Sequence, residues 1–253
     1  GDHNLVNLTV NQSGSLTLNS TAGNLQLDGV TLNNALAGSI NLSGDVTLAS
    51  TGGASTLNNA GSLTKSAGTG TASLGSLIAL VNTGTVTADS GTLSVGGSYT
   101  QNGATASTVI NTSDSLTTTT LTINDGSLTV TGTLNAALTN AGTATLSGTH
   151  NGNLTNSDTV TISGTLNGDL TNSATATLSG SQTGTVDNSG SLTLSSASIT
   201  GNTTNQSAGT MSGTSTFTGN LTNAGTLNPG GTGTTATWAI SGNFTQTASG
   251  TLN

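Results

Sequence analysis

The sequence predicts an all-β protein, a parallel β-helix (β-solenoid) with about 16–23 residues in each coil. Two observations predict this fold. A segment of nearly constant sequence recurs five times at a fixed interval of 16 residues. Inside each copy, apolar residues alternate with polar ones. A fixed period in this range is typical of repeat architectures. Alternation with a period of two indicates that the repeating element is a strand rather than a helix.

Each repeated segment begins with an asparagine. The copies read NDGSLTV, NAGTATL, NSDTVTI, NSATATL and NSGSLTL, and they begin at Asn124, Asn140, Asn156, Asn172 and Asn188. Because strands of successive coils lie about 4.8 Å apart, each repeated position becomes a column of side chains along the axis. We expect the asparagine column to be a structural ladder of amide hydrogen bonds, since asparagine also suits the tight turns between coils.

The alternation assigns the remaining positions to inward and outward columns. The predicted inward columns are Leu128, Ala144, Val160, Ala176 and Leu192; Val130, Leu146, Ile162, Leu178 and Leu194; and Leu138, Leu154, Leu170 and Val186. The candidate exposed contact face consists of Thr129, Thr143, Thr145, Thr159, Thr161, Thr175, Thr177 and Thr193. Threonine is a good strand former on a solvated face. Two parallel files of hydroxyls also resemble the ice-binding faces of some solenoid antifreeze proteins.

The whole chain, residues 1–253, is expected to form a single domain. The regular 16-residue coils occupy about 122–201, and related segments recur before and after them at looser spacing. We expect a rod of about 12–14 coils, on the order of 60 Å long. Since the sequence starts without a signal peptide and stops within a strand-like segment, the chain is expected to be a mature or excised part of a longer one.

The composition excludes several classes of partner. Only 4% of the residues are charged, and the net charge is −8 with Lys65 as the single cation, which leaves trypsin one cleavage site. Nucleic-acid binding needs lysine or arginine to neutralise phosphates, so no nucleic-acid partner is expected. No apolar stretch approaches the roughly 20 residues of a membrane helix, so we expect no membrane insertion by this segment.

The acidic residues do not pair into a predicted catalytic site. Carbohydrate hydrolysis needs two carboxylates a few ångströms apart, whereas Asp125 and Asp158 fall in different columns two coils apart. His150 occupies a column otherwise held by Leu134, Leu166 and Gln182, where a tolerated substitution near a corner is a simpler interpretation than a base. We therefore expect no enzyme, no catalytic residue, no bound metal and no cofactor.

Two further segments carry a family resemblance. GTLSVGGSYTQNGAT at 91–105 and GTLNPGG…ISGNFTQTASGTLN at 225–253 share a Gly-Thr-Leu strand followed by an aromatic residue and Thr-Gln. This pattern resembles the strand repeats of bacterial autotransporter passenger domains and related large exported adhesins. The segment at 57–97 is similar to repeats in large bacterial surface proteins of the same kind. The resemblance implies a right-handed parallel β-helix that is exported to the cell surface.

The function expected from these observations is structural and adhesive. We expect an extracellular β-solenoid of a bacterial cell surface or biofilm matrix, which contacts surface or matrix ligands or other copies of itself, laterally or end to end into filaments. An unpaired strand edge at the end of a solenoid favours such stacking. Two alternatives stay open at this point: an ice-binding solenoid that uses the Thr-x-Thr columns, and a polysaccharide-active β-helix enzyme.

Overall fold

The computed structural model describes residues 3–19, 24–231 and 233–253. These residues form an all-β parallel β-solenoid of about 13 turns, with about 19 residues in each coil and no helix within the described ranges. The predicted fold class is therefore confirmed, and the chain is a β-helix repeat protein. No helix in the described part of the chain has the length and apolarity needed to cross a membrane.

The chain divides into two compact units, residues 1–137 and 138–253. We describe each unit by itself, and the expected single domain stays a prediction. Both units are built from coils of short strands, in which each strand pairs in parallel with the strand one coil further along. The alternation in the sequence explains these strands, since inward residues are buried and their neighbours point to solvent, as in Thr159–Ile162.

The first unit contains strands separated by turns of varying length. Its strands are β1 (His3–Val6), β2 (Thr9–Gln12), β3 (Ser15–Leu18), β4 (Leu25–Asp28), β5 (Thr31–Asn34), β6 (Ser39–Leu42), β7 (Thr47–Ala49), β8 (Ser55–Asn59), β9 (Ser62–Lys65), β10 (Thr71–Leu74), β11 (Ile78–Asn82), β12 (Thr85–Ala88), β13 (Thr92–Val95), β14 (Tyr99–Gln101), β15 (Ser107–Ile110), β16 (Ser115–Ile123) and β17 (Ser127–Val130). Coil length varies here because the turns differ: Asn34 and Asn59 are 25 residues apart, whereas Asn82 and Gln101 are 19 apart.

Strand β18 (Thr133–Asn140) spans the boundary between the units. The later strands are β19 (Thr143–Leu146), β20 (Thr149–Asn151), β21 (Leu154–Asn156), β22 (Thr159–Ile162), β23 (Thr165–Asn167), β24 (Leu170–Asn172), β25 (Thr175–Leu178), β26 (Ser181–Thr183), β27 (Val186–Asn188), β28 (Ser191–Thr200), β29 (Thr203–Asn205), β30 (Thr210–Thr218), β31 (Leu221–Asn223), β32 (Thr226–Pro229), β33 (Ala239–Ile240), β34 (Phe244–Gln246) and β35 (Thr251–Leu252). The 16-residue coil predicted from the repeats is present from Asn140 to Asn188.

Coil length increases after the regular stretch of the second unit. Asn188 and Asn205 are 17 residues apart, and Asn205 and Asn223 are 18 apart. Part of the extra length is a register shift between β28 and β30, where Ser196 has a φ of 57°. One extra residue bulges from the strand there, so the columns on either side stay in register.

The inward columns form the core of each unit, as predicted. In the second unit the inward columns consist almost entirely of aliphatic residues that are at most 2% exposed; they include Ala144, Val160, Ala176 and Leu192; Leu146, Ile162, Leu178 and Leu194; and Leu138, Leu154, Leu170 and Val186. Leu128 and Val130 are buried in the same way in the first unit. Because each residue packs on its equivalents one coil away, the core is a set of continuous apolar stacks.

Glycine is required where backbones of successive coils approach closely. A Cβ atom on Gly164 would lie 1.9 Å from the carbonyl oxygen of Gly148 in the preceding coil, and one on Gly180 would lie 1.9 Å from that of Gly164. No side chain could bend away from such a contact, because both partners are backbone. Glycines at this corner therefore set the tight turns between β22 and β23 and between β25 and β26.

Candidate functional site: the asparagine ladder and the threonine columns

A continuous ladder of side-chain amides runs through the second unit. Nδ2 of Asn140 donates to Oδ1 of Asn156 over 2.8 Å, and the same bond links Asn156 to Asn172 and Asn172 to Asn188. The ladder continues beyond the predicted residues through Asn205, Asn223 and Gln246. All of its asparagines are fully buried. Because each asparagine donates into the following coil, the ladder has a direction.

Each ladder amide also binds the backbone of the turn around it. Nδ2 of Asn156 donates to the carbonyl oxygen of Asp158, two residues on, and to that of Thr175 in the next coil, both at 3.0 Å. Buried carbonyls at a tight turn need such partners, because the turn itself provides none. The asparagine column therefore holds the turns closed and is part of the solenoid's interior, where no external ligand reaches it.

A second ladder in the first unit was missed by the sequence interpretation. It runs from Asn34 through Asn59 and Asn82 to Gln101, with amide distances of 2.7, 2.8 and 3.3 Å. Its turns carry the same signal as the regular repeats, since Asn59 and Asn82 each stand two residues before a glycine and three before serine or threonine. The signal lacked a fixed period because the coils of this unit differ in length.

Asn124 is a correction to the predicted ladder. It is exposed, and its Nδ2 donates over 2.8 Å to Oδ1 of Asn102 on the outside of the coil. The ladder position of this coil holds Ile123, which pairs with Gln101. An apolar side chain cannot accept from Gln101, so the ladder of the first unit ends there. The turn that follows has Gly126 at a φ of 81°, and its geometry shifts the asparagine one position outward.

The predicted threonine face is in register over the second unit. One outward file contains Thr143, Thr159, Thr175 and Ser191; its neighbour contains Thr145, Thr161, Thr177 and Thr193. Thr143, Thr145, Thr175 and Thr193 are exposed, and the other threonines are partly exposed. Thr129 belongs to the first unit, where its column neighbour is Val109, so the file of hydroxyls is interrupted there.

A further ladder at an exposed corner of the second unit was also missed. Oδ1 of Asn153 accepts the backbone N–H of Asp169 at 3.0 Å, and Oδ1 of Asp169 accepts that of Thr185 at 2.7 Å. The backbone hydrogen bond from Thr185 lowers the pKa of Asp169. Asn220 accepts from Asn243 in the same way, at 2.8 Å. Acidic and amide residues at this corner therefore close turns between coils.

Lys65 is inside the first unit and is fully buried. Its ammonium donates to Oδ1 of Asp45 at 3.2 Å, to the carbonyl oxygen of Gly68 at 2.9 Å and to that of Ala67. These three acceptors match the three protons of an ammonium group. Lys65 therefore has a structural role, because its ammonium group holds the loop that follows β9 in place.

His150 lies in the interior column that was predicted for it. It pairs in register with Leu166, and the column continues through Gln182 and Ile199. The imidazole is fully buried, as expected of a core position. Among the described residues, no group of three or more histidine, cysteine, aspartate or glutamate side chains is placed to hold a metal ion.

Tyr99 is the single tyrosine and lies in the core of the first unit. Its hydroxyl is hydrogen-bonded to Oγ1 of Thr108, which donates to Oε1 of Gln101 at 2.7 Å. Burial raises the pKa of Tyr99 well above its usual range, because the interior cannot solvate a phenolate; the bond to Thr108 offsets this only in part. Tyr99 is therefore a neutral side chain, which contacts the last amide of the first ladder, Gln101, through Thr108.

We expect Tyr99 to stay neutral in the folded chain when the pH passes about 10, where an unfolded tyrosine ionises. Its contribution to stability is present below that pH and is lost as the pH rises further, because only the unfolded chain releases the proton. Tyrosinate absorbance reports this residue alone. The folded chain should show no ionisation near pH 10, whereas the chain in concentrated urea should; Tyr99→Phe should flatten the alkaline dependence. A normal titration of the folded chain would contradict the prediction.

Comparison with known protein families, curated protein sequences and solved structures gives no match for this chain.

Proposed function

We propose that this chain is a non-enzymatic structural and adhesive β-solenoid of a bacterial surface or an extracellular biofilm matrix, and that it associates with copies of itself. The observation that carries the proposal is the in-register array of threonine hydroxyls on the outside of the second unit. The resemblance of the 91–105 and 225–253 segments to autotransporter passengers and exported adhesins supports it.

The arrangement suits repeated weak contacts. Hydroxyls about 4.8 Å apart along each file can meet a partner surface at many points, and such multivalent contact gives strong attachment from individually weak bonds. The net charge of −8 makes copies repel one another, but only 4% of the residues are charged and physiological salt screens this repulsion beyond about 8 Å. The rigid amide and apolar columns beneath hold the hydroxyls at fixed spacing, so little entropy is lost when a partner binds.

The experiment is a bead assay with matched variants. Beads coated with the chain should cluster with one another or adhere to a cultured cell layer, and the triple variant Thr145→Lys, Thr161→Lys, Thr177→Lys should lose that attachment. The control places the same three charges on another outward face, Asn151→Lys, Asn167→Lys, Thr183→Lys. Equal attachment by both variants and the original chain would contradict the assigned face. Absence of any attachment by the original chain would contradict the adhesive role.

The same array favours ice binding as a second candidate. Thr-x-Thr pairs repeat in register at Thr143 and Thr145, at Thr159 and Thr161, and once more in the following coil. An ice-binding chain should produce thermal hysteresis, and Thr161→Lys should abolish it because a long charged side chain lifts the ice lattice off the face. Freezing behaviour equal to that of a buffer control would eliminate this candidate.

A further inference from the structure

Three asparagines in the sequence stand directly before a glycine: Asn102, Asn151 and Asn167. An Asn-Gly pair can react with itself, because the backbone nitrogen of the glycine can attack the side-chain amide carbon of the asparagine. Glycine favours this attack, since it has no Cβ atom beside the nitrogen and its backbone adopts many conformations. In a folded chain the reaction therefore depends on how the peptide group between the two residues is held.

Two of the three glycine nitrogens are bonded to the following coil. Gly152 donates its N–H to the carbonyl oxygen of Asn167 at 3.0 Å. Gly168 donates its N–H to the carbonyl oxygen of Thr183 at 2.8 Å. A Cβ atom on Gly168 would lie 2.2 Å from the carbonyl oxygen of Gly152, so the backbone there is tightly packed. Either nitrogen could attack only after the coils of the second unit had opened locally.

The third pair lies in an open turn of the first unit. Residues 102–106 connect β14 to β15, and Gly103 is exposed with a φ of 98°. The peptide group that joins Asn102 to Gly103 forms no hydrogen bond with any described residue, either through its carbonyl oxygen or through its N–H. A Cβ atom on Gly103 would have nothing within 4 Å. This peptide group can therefore rotate without disturbing the coils on either side.

The side-chain amide of Asn102 is held by its oxygen. Nδ2 of Asn124 donates to Oδ1 of Asn102 at 2.8 Å, whereas Nδ2 of Asn102 has no partner among the described residues. Attack on the amide carbon places negative charge on Oδ1, where a donor already lies, and the nitrogen that must leave is unrestrained. Asn167 shows the opposite arrangement, because its Nδ2 donates to Oδ1 of Asn151 at 2.8 Å.

We propose that Asn102 is a site of spontaneous modification, at which the folded chain converts its own side-chain amide into a carboxylate with water as the co-substrate. In the first step the nitrogen of Gly103 bonds to Cγ of Asn102, and its proton leaves with Nδ2 as ammonia, which closes a cyclic imide. Water then opens the imide at either of its carbonyls and gives aspartate or isoaspartate. No oxidant or reductant takes part, and the inference does not depend on the proposed function.

The conversion changes the outside of the first unit. Each event adds one negative charge to a chain whose net charge is −8. An aspartate at position 102 still offers an acceptor to Nδ2 of Asn124, so the contact between the coils survives. Isoaspartate adds one carbon atom to the main chain beside Gln101, whose Nε2 donates to the carbonyl oxygen of Ala106 across the same turn at 3.3 Å. The modified chains should therefore form a more acidic population with the same solenoid fold.

Mass mapping of the incubated chain tests the site. The folded chain is held at mildly alkaline pH and digested with pepsin, since trypsin has only Lys65 to cleave after. The peptide with Asn102 should gain the mass of an amide-to-acid exchange. The peptides with Asn151 and Asn167 should react more slowly by about tenfold or more, because their coils must open first. In concentrated urea, where no fold protects them, the three pairs should react at similar rates.

Matched variants connect the acidic species to one residue. In isoelectric focusing, Asn102→Gln should abolish the species that accumulates in the folded chain, because glutamine must close a larger ring. Asn167→Gln should leave it unchanged, and circular dichroism checks that both variants keep their strands. Equal or reversed rates at the three pairs in the folded chain would overturn the claim that the fold selects Asn102. A folded chain in which Asn102 stays intact while it reacts in urea would overturn the site itself.

Discussion

Replacement of Asn156 by alanine is expected to lower the free energy of unfolding of the second unit by about 3–6 kcal/mol. The Asn156 side chain is fully buried, accepts from Asn140 and donates to Asn172, Asp158 and Thr175. Alanine removes all four hydrogen bonds. Oδ1 of Asn172 is left buried without a donor, which costs about 1–3 kcal/mol, and the other three lost bonds cost about 0.5–1.5 kcal/mol each, because the Asp158 carbonyl and Nδ2 of Asn140 keep other partners. Water cannot replace the amide, because the column is sealed by the coils on either side.

Asn167→Ala is the matched control for this effect. Asn167 is also an asparagine in a file of hydrogen-bonded side chains, donating to Asn151 at 2.8 Å and accepting from Thr183 at 3.2 Å. Its file is exposed, so water replaces the lost bonds and the change should stay within about 0.5 kcal/mol. Urea unfolding followed by circular dichroism measures both variants. Equal losses would show that the buried ladder has no special role in stability.

The two ladders differ in how clearly the sequence predicts them, because only the second unit has coils of equal length. The fixed interval of 16 residues made the positions of Asn140 and Asn156 evident, since equal coil lengths put repeated letters in one column. In the first unit the turns lengthen coils to as many as 25 residues, so Asn34 and Asn59 share a column that no fixed period shows. Strand pairing, rather than spacing, determines such columns.

The prediction that Asn124 belongs to the ladder was wrong for the same reason: strand pairing, not spacing, determines the column. Its segment NDGSLTV has the same asparagine, hydroxyl and apolar positions as the other repeats. The strand before the turn nevertheless ends one residue earlier than in those repeats, at Ile123 rather than at the asparagine. A shift of a single residue exchanges inward and outward side chains, because the period of a strand is two. The sequence pattern identified the turn correctly, whereas the face of its asparagine depended on pairing with Gln101 in the preceding coil.

Local sequence patterns could not predict the structural role of Lys65. Alternation in SLTK places it on the inward side with Leu63, in a column between Leu42 and Ala88. A buried lysine needs an acceptor, and its carboxylate partner, Asp45, lies 20 residues earlier in the sequence. Only the stacking of coils brings the two groups together, so a composition that counts one cation and nine acids could not identify which acid pairs with it.

Asp45→Ala is expected to lower the free energy of unfolding of the first unit by about 1–3 kcal/mol, because it leaves the buried Lys65 ammonium without its counterion. The loss is smaller than for a fully buried pair, since the Asp45 side chain is 47% exposed and water already screens the interaction. Trypsin provides a second readout, because Lys65 is its one cleavage site. Cleavage of the variant should be faster than that of the original chain as the loop after β9 loosens.

Lys65→Met should be much less damaging than Asp45→Ala, although it removes the same ion pair. Methionine continues the apolar column of Leu42 and Ala88, and it leaves Asp45 exposed enough for water to solvate the carboxylate. Replacement of a buried charge by an apolar group of similar size is often close to neutral. Urea unfolding of both variants measures the difference. If Lys65→Met costs as much as Asp45→Ala, then the ammonium stabilises the fold through its bonds to the carbonyls of Ala67 and Gly68, and its burial is a net gain for the solenoid.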